Sequence, residues 1–437
     1  MISRRIQYEL AGRVVGPALM ALEEVGRRAR RAKKRGPSPF GPPLQSARKL
    51  KELMSVQYLQ GRYADGAVPV AWVTSGFPVE VLRALGFYVV YPENHGALCG
   101  ARRMVEEISG AAEAQGFSQD LCSYARTDIG SVLSGKTPVG RLPRPDLLAC
   151  CTNICQTVLY WYRVLAEHFK VPLILIDTPY VYGDTQPHHL AYVKEQLTEL
   201  VQAAERVGGK RMDSGELVEV MKLSREGTRL WKQCLDTGTH KPSPWTGFDG
   251  FIHMAPIVAL RGTETCNAYY RMLKDELEDR ASHGIGGIKH ERVRLLWDNL
   301  PVWFKLRELS TTFAEAGFNF VCTTYTNAWA QAADLIKPED PMGSGANAYS
   351  LALLNRDLPN RLRVMKALAK DYGCQGAVLH SDRSCKPYSI GQLDLKTRLA
   401  DEAGLKVLVV EADHADPRGY SEEQVQNRIQ AFIESFA

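Results

Sequence analysis

Eight short runs of β-branched and apolar residues, each bounded by turn formers, limit the folds open to this chain more than any other feature. Four lie in the first half, Val68–Thr74, Phe87–Tyr91, Leu147–Cys151 and Pro172–Asp177, and four in the second, Val293–Trp297, Asn319–Thr324, Gly376–His380 and Lys406–Glu411. Amphipathic helical spacers separate them, and strands joined through helices pair in parallel, because a hairpin is too short to hold a crossover. The pattern predicts an α/β fold of two lobes, each a mainly parallel sheet flanked by helices. Boundaries follow from composition: an N-terminal helical, basic segment over 1–56, a first lobe over 57–185, a polar helical connector over 186–250 and a second lobe over 251–437. In open sheets of this kind ligands bind outside the carboxyl ends of the strands, so the chemistry is expected in a cleft between the lobes.

The length of 437 residues suits several units of about 150 residues each. A formal charge of +5 over that length gives no nucleic-acid footprint. The basic run Arg27–Arg35 shares its segment with apolar positions Leu10, Val14, Leu19 and Leu22, and reads as a solvated helix face in preference to an RNA contact. No apolar run approaches the ~18 residues of a membrane helix, and Met1-Ile2-Ser3-Arg4-Arg5 leads into no signal-peptide core. A cytoplasmic protein with no membrane partner is expected. Its 10 cysteines are irregularly spaced, so they read as ligands, nucleophiles or core filler and not as a disulfide framework.

Gly130–Thr137 matches the Walker A pattern, yet a phosphate loop must leave a strand and open a helix. Here Cys122–Leu133 reads as a helix entering the glycines, and Pro138, Pro143 and Pro145 prevent a long helix from leaving them, so the match is taken as coincidental. Gly284–Gly287 reads as a turn, and Gly343–Asn347 as a glycine loop ahead of a helix at Tyr349–Leu354 whose N-terminus suits an anion.

The cysteines say more once placed on the strand map. Cys155 and Cys385 each follow the third strand of their half by a few residues, and Cys122 lies on the connection feeding the strand before Cys155. Three thiols without paired histidines disfavour structural zinc and suit an iron-sulfur cluster with one open iron. The competing reading is three unrelated buried thiols. Cys150, Cys151, Cys322 and Cys374 look structural, and Cys99 is a fourth candidate ligand. A Cys/His nucleophilic enzyme ranks lower, since neither His95 nor His380 is tied to a thiol by any signature.

Leu121-Cys122-Ser123-Tyr124-Ala125-Arg126, Thr152-Asn153-Ile154-Cys155, and Asp382-Arg383-Ser384-Cys385-Lys386-Pro387 followed by Val410-Glu411-Ala412-Asp413 resemble the 2-hydroxyacyl-CoA dehydratase and benzoyl-CoA reductase family. Pro78-Val79-Glu80 and the tail Asn427–Phe432 extend the likeness over most of the chain. The resemblance implies a 4Fe-4S cluster held by Cys122, Cys155 and Cys385 in the interlobe cleft, a homologous sister subunit, and separate ATP-hydrolysing activator subunits that deliver electrons. Cys385-Lys386-Pro387 stands where the dehydratase branch usually carries Cys-Asp-Pro, and so resembles the B-type subunits of ATP-dependent benzoyl-CoA reductases more. On that branch the substrate would be benzoyl-CoA and the product a cyclic dienoyl-CoA. The alternatives are a 2-hydroxyacyl-CoA dehydratase subunit, or a non-catalytic scaffold that relays electrons or binds acyl-CoA. Proton donors are candidates by type alone: Tyr124, Tyr388, His95 and His380. Arg126 and Lys386, beside the ligand motifs, would offset cluster charge or CoA phosphates, or else form surface salt bridges.

Overall fold

The computed structural model describes residues 3–18 and 38–437. It contains two four-stranded parallel sheets. The first comprises β1 (Val70–Val73), β2 (Tyr88–Val90), β3 (Leu147–Cys151) and β4 (Leu173–Ile176), in the order β2-β1-β3-β4. The second comprises β5 (Val293–Asp298), β6 (Phe318–Thr323), β7 (Gly376–Asp382) and β8 (Lys406–Ala412), in the equivalent order β6-β5-β7-β8. All eight expected runs are strands, and each is flanked by helices as the spacing predicts.

Burial explains why the runs are continuous and not alternating. Every residue of β1, β2, β3, β5 and β6 is buried, as expected for parallel strands covered on both faces. Edge strand β8 alternates between buried and more exposed positions and carries Lys406 and Glu411 toward water, which blunts its open edge. In the first sheet Ala71, Val73, Leu147 and Ala149 face one way, against Leu230 and Trp231 of helix Ser214–Asp236 and Tyr270 and Leu273 of helix Glu264–Ser282. The alternate residues Val70, Trp72, Leu148 and Cys150 meet helices Val105–Glu113, Ser123–Ser134 and Thr157–Phe169. The second sheet repeats this two-sided burial, with Leu295, Trp297 and Phe320 on one core and Leu296, Val321 and Leu379 on another.

Helices Pro187–Gly208 and Ser214–Asp236 fill the expected polar helical stretch. At the N-terminus, Leu10 at the end of helix Arg4–Leu10 and Val14 in the π-helical turn Ala11–Val15 are exposed, while Leu19, Leu22 and the basic run 27–35 lie outside the described residues. Among the described residues no helix is long and apolar enough to cross a membrane.

Two glycine motifs resolve in different ways. Gly130 lies inside helix Ser123–Ser134, where a Cβ would come within 2.1 Å of the Ile108 carbonyl oxygen, so it is there to let two helices touch. Gly135 ends that helix with φ +71°, and the Lys136 ammonium pairs with Glu107. The expectation for Gly343–Asn347 is corrected. These residues lie within helix Pro341–Ser350 instead of preceding a later one, because Asp340-Pro341 supplies an N-cap and a first-turn proline. The Asp340 carboxylate already accepts the Gly343 amide at 3.1 Å, so that helix end faces an acid and not an anion site.

Candidate active site

In each sheet the strand order reverses between its first and third strands, and such a switch point opens a crevice at the carboxyl ends. The two crevices face one cavity of about 170 Å³. Ser75 and Gly76 reach it from the end of β1, Glu93 from beyond β2, Asn153 and Cys155 from the end of β3, Leu300 from β5, and Cys385 from β7. Cys122 and His414 complete this end of the cavity.

Each of the three thiols sits at the entry of a helix. Cys122 immediately precedes helix Ser123–Ser134, Cys155 lies two residues before helix Thr157–Phe169, and Cys385 caps the short helix Lys386–Ser389. Amides of Thr157 and Val158 point at the Cys155 sulfur, and that of Tyr388 at the Cys385 sulfur. Burial, followed by the neighbouring Cys122 charge, pushes the Cys155 thiol up to about 12, and burial, Asp382, Cys122 and Cys155 raise Cys385. The charges of neighbouring cysteines thus act on Cys155 and Cys385, yet each of those two has amide donors aimed at its sulfur. Desolvated thiols that carry N–H donors, as Cys155 and Cys385 do, could with Cys122 hold a polynuclear cation as thiolates.

Beneath them Asp382, Asp413 and His414 bring their ligand atoms within 4.8 Å of one another. Their lone pairs are already used within the protein. His414 Nδ1 is 2.7 Å from Asp382 Oδ2, and Asp382 Oδ1 accepts the amides of Ser384 at 3.2 Å and Cys385 at 3.3 Å. Asp413 Oδ1 accepts the amides of Ala415 and Asp416, each at 2.8 Å, and its Oδ2 accepts the Ser384 hydroxyl. On the other side His414 Nε2 lies 2.9 Å from Ser123 Oγ and 4.0 Å from Cys122 Sγ. The carboxylates hold His414 well toward its charged form despite burial. The cluster therefore binds the Cys385 turn to the Cys122 helix across the lobes.

Tyr124 and Tyr388 line the cavity, whereas His95 and His380 are not among its lining residues. The Tyr124 ring meets His414 edge-on at 4.1 Å between centroids, and its hydroxyl accepts the Trp303 indole N–H. His95 lies 2.8 Å from Thr137 Oγ1 and 3.6 Å from Cys99, with burial lowering it to about 4. His380 Nδ1 is 2.7 Å from the Leu300 carbonyl. Cys99 is fully buried in the first lobe's core and is not among the cavity's lining residues. Arg126 is buried and pairs with Glu113 at 2.7 Å and Asp416 at 3.0 Å, a tie between lobes and not a surface bridge. The exposed Lys386 ammonium donates to the Arg383 carbonyl.

The residue that sequence reasoning passed over is Glu93. Its Oε1 accepts the Ser75 amide at 3.0 Å, while Oε2 is buried without a partner at the thiol end of the cavity. Burial raises this carboxyl to about 7. A strand-end acid directly after Tyr91-Pro92 was the available signal, but nothing local marks it as buried. A second buried cluster ties the cavity wall to the first lobe: Glu80 is 3.2 Å from Arg261 and accepts Tyr349 at 2.7 Å, while Asn153 donates to the Tyr349 carbonyl at 2.9 Å.

Fold and site together define a two-lobed α/β protein with a triple-thiol, acid-bearing interlobe cavity. The chain belongs to the 2-hydroxyglutaryl-CoA dehydratase D-component family, which matches residues 74–436. It is 35% identical to the (R)-phenyllactyl-CoA dehydratase alpha subunit of Clostridium sporogenes, over 84% of this chain and 89% of that protein. It is 34% identical to the (R)-2-hydroxyisocaproyl-CoA dehydratase alpha subunit of Clostridioides difficile, over 88% and 94%. The corresponding figure for the B subunit of the benzoyl-CoA reductase of Thauera aromatica is 28%, over 88% and 93%. The branch expected from Cys385-Lys386-Pro387 is thus represented by a subunit less similar to this chain than those two dehydratase subunits.

Proposed function

We propose that this chain is a catalytic subunit of a 2-hydroxyacyl-CoA dehydratase, removing the 2-hydroxyl and a C3 hydrogen of its substrate as water. The observation that carries the branch is the greater identity to two dehydratase subunits, 35% and 34% against 28% for the reductase subunit. Those relatives are themselves named as subunits, which supports a homologous sister chain alongside this one. ATP-hydrolysing activator subunits remain the proposed electron donor.

Cys122, Cys155 and Cys385 are the residues proposed to hold a 4Fe-4S cluster, which when bound supplies a low-potential electron and an open iron position. The chain's own groups do the rest. Amides at the helix entries stabilise the sulfur charge. Aromatic and aliphatic walls exclude water that would quench a reduced centre. Glu93, fixed by the Ser75 amide and free at Oε2, holds a proton for the departing hydroxyl or receives one from the substrate. Tyr124 is held at the same end between Trp303 and His414.

The test is turnover stoichiometry of the anaerobic complex with its activator. A dehydratase forms 2-enoyl-CoA from 2-hydroxyacyl-CoA with reductant needed only in catalytic amount. Reductant consumed in proportion to product, with an aromatic acyl-CoA as substrate, would establish the reductase instead.

A further inference from the structure

Beside the thiols the cavity has a wall supplied by the second lobe, which forms a chamber. Tyr325 and Trp329 come from helix Thr324–Ala330, Ala332, Leu335 and Ile336 from the turns after it, and Leu353 from beyond helix Pro341–Ser350. These walls present mainly aromatic rings and aliphatic carbon, with the neutral amide of Gln331 among them.

The cavity lining includes two basic side chains, Arg261 and His414, and both are engaged. Arg261 is 3% exposed; its Nε meets Glu80 at 3.2 Å, Nη1 donates to the Ile257 carbonyl at 3.2 Å, and Nη2 donates to the Phe77 carbonyl at 3.0 Å and the Tyr349 hydroxyl at 2.9 Å. His414 stands at the thiol end between Asp382 and Asp413. Among the described residues, a second carboxylate on an acyl chain would therefore enter the chamber without a free counter-charge, and an unpaired buried carboxylate is strongly disfavoured.

We propose that the chamber receives the side chain of the acyl group and selects CoA thioesters of 2-hydroxy acids whose side chain is an aryl or alkyl group over those that carry a second carboxylate. The inference rests on the dehydratase reading of the site. That chemistry adds one constraint: the hydroxyl leaves from C2 and a hydrogen from C3, with no net gain or loss of electrons, so the side chain begins with a carbon that bears hydrogen.

The test uses the reconstituted anaerobic complex with its sister subunit and activator. It is assayed with the CoA thioesters of 2-hydroxy-3-phenylpropanoate, 2-hydroxy-4-methylpentanoate and 2-hydroxyglutarate. The expected result is a kcat/KM for each apolar thioester about 100-fold or more above that for the dicarboxylate. Tryptophan fluorescence titration without activator gives the same order in Kd, independently of turnover. Leu335 is partly exposed, so Leu335→Arg is compatible with folding; it is expected to narrow the gap by favouring 2-hydroxyglutaryl-CoA. Water loss with 2-hydroxyglutaryl-CoA preferred, or indifference among the three in both assays, overturns the inference and leaves the dehydratase reading standing. Reduction of an aromatic acyl-CoA with no water loss from any of the three overturns both.

Discussion

The Ser75 amide donates to Glu93 Oε1 at 3.0 Å and so fixes a buried carboxyl whose other oxygen has no partner. One strand end thereby orients the acid delivered by its neighbour. Glu93→Gln keeps size and the Ser75 contact but cannot exchange a proton as a carboxyl does. It is expected to lower kcat by about 10²–10⁴-fold with iron content and acyl-CoA affinity unchanged, measured side by side on one preparation. A variant that turns over normally would remove Glu93 from the chemistry.

Arg126 joins the lobes through Glu113 and Asp416, both of which also bind Arg418. Removing one partner of a buried ion pair costs ~3–5 kcal/mol, and the remaining Arg418 places Arg126→Met near the lower end of that range. Chemical denaturation should show the loss, and an unchanged midpoint would mean that Arg418 alone carries the tie.

Asp128 accepts the Trp161 indole N–H at 2.9 Å, its Oδ1 has no partner, and burial raises it from 3.8 to about 7. The folded chain therefore keeps a proton that the unfolded chain has lost between about pH 4 and pH 7. Stability falls as pH rises through that window and levels off above it. Asp128→Asn should remove part of the fall, making the variant relatively more stable at pH 8 than at pH 4; Glu93, raised to about 7 in the same way, keeps a residual slope. Parallel stability profiles for variant and parent would contradict this account.

Lys136 belongs to a helix C-terminus and pairs with an exposed Glu107. Lys136→Ala should leave ATP consumption by the assembled complex unchanged. Gly130→Ala, by contrast, forces a Cβ against the Ile108 backbone and is expected to destabilise by roughly 1–3 kcal/mol. Loss of ATP turnover in the lysine variant would revive the phosphate-loop reading.

The strands were legible because parallel strands buried on both faces are written as apolar runs, as in Val70–Val73 and Leu147–Cys151, while edge strand Lys406–Ala412 kept an apolar middle between Lys406 and Glu411. The positions of Cys155 and Cys385 beyond equivalent strands were legible for the same reason, since strand ends fix where side chains can meet. Gly343 was misplaced because its glycines were weighed above Asp340-Pro341, which set the helix start. Glu93 and His414 were hidden by distance along the chain. Their character comes from burial and from partners such as Ser75, Asp382 and Ser123, which no local pattern announces. His95 and His380 were candidates by residue type, yet their ring contacts lie with Thr137 and with the Leu300 carbonyl.

The central claim is that Cys122, Cys155 and Cys385 together hold one inorganic cluster. Iron and acid-labile sulfide, measured with low-temperature EPR on the anaerobically purified subunit pair and on Cys122→Ser, Cys155→Ser and Cys385→Ser, test it most directly. The account predicts about four iron and four sulfide for this chain's site, with each substitution removing or altering that signal while the fold persists. Iron content and spectra unchanged in all three variants would contradict it.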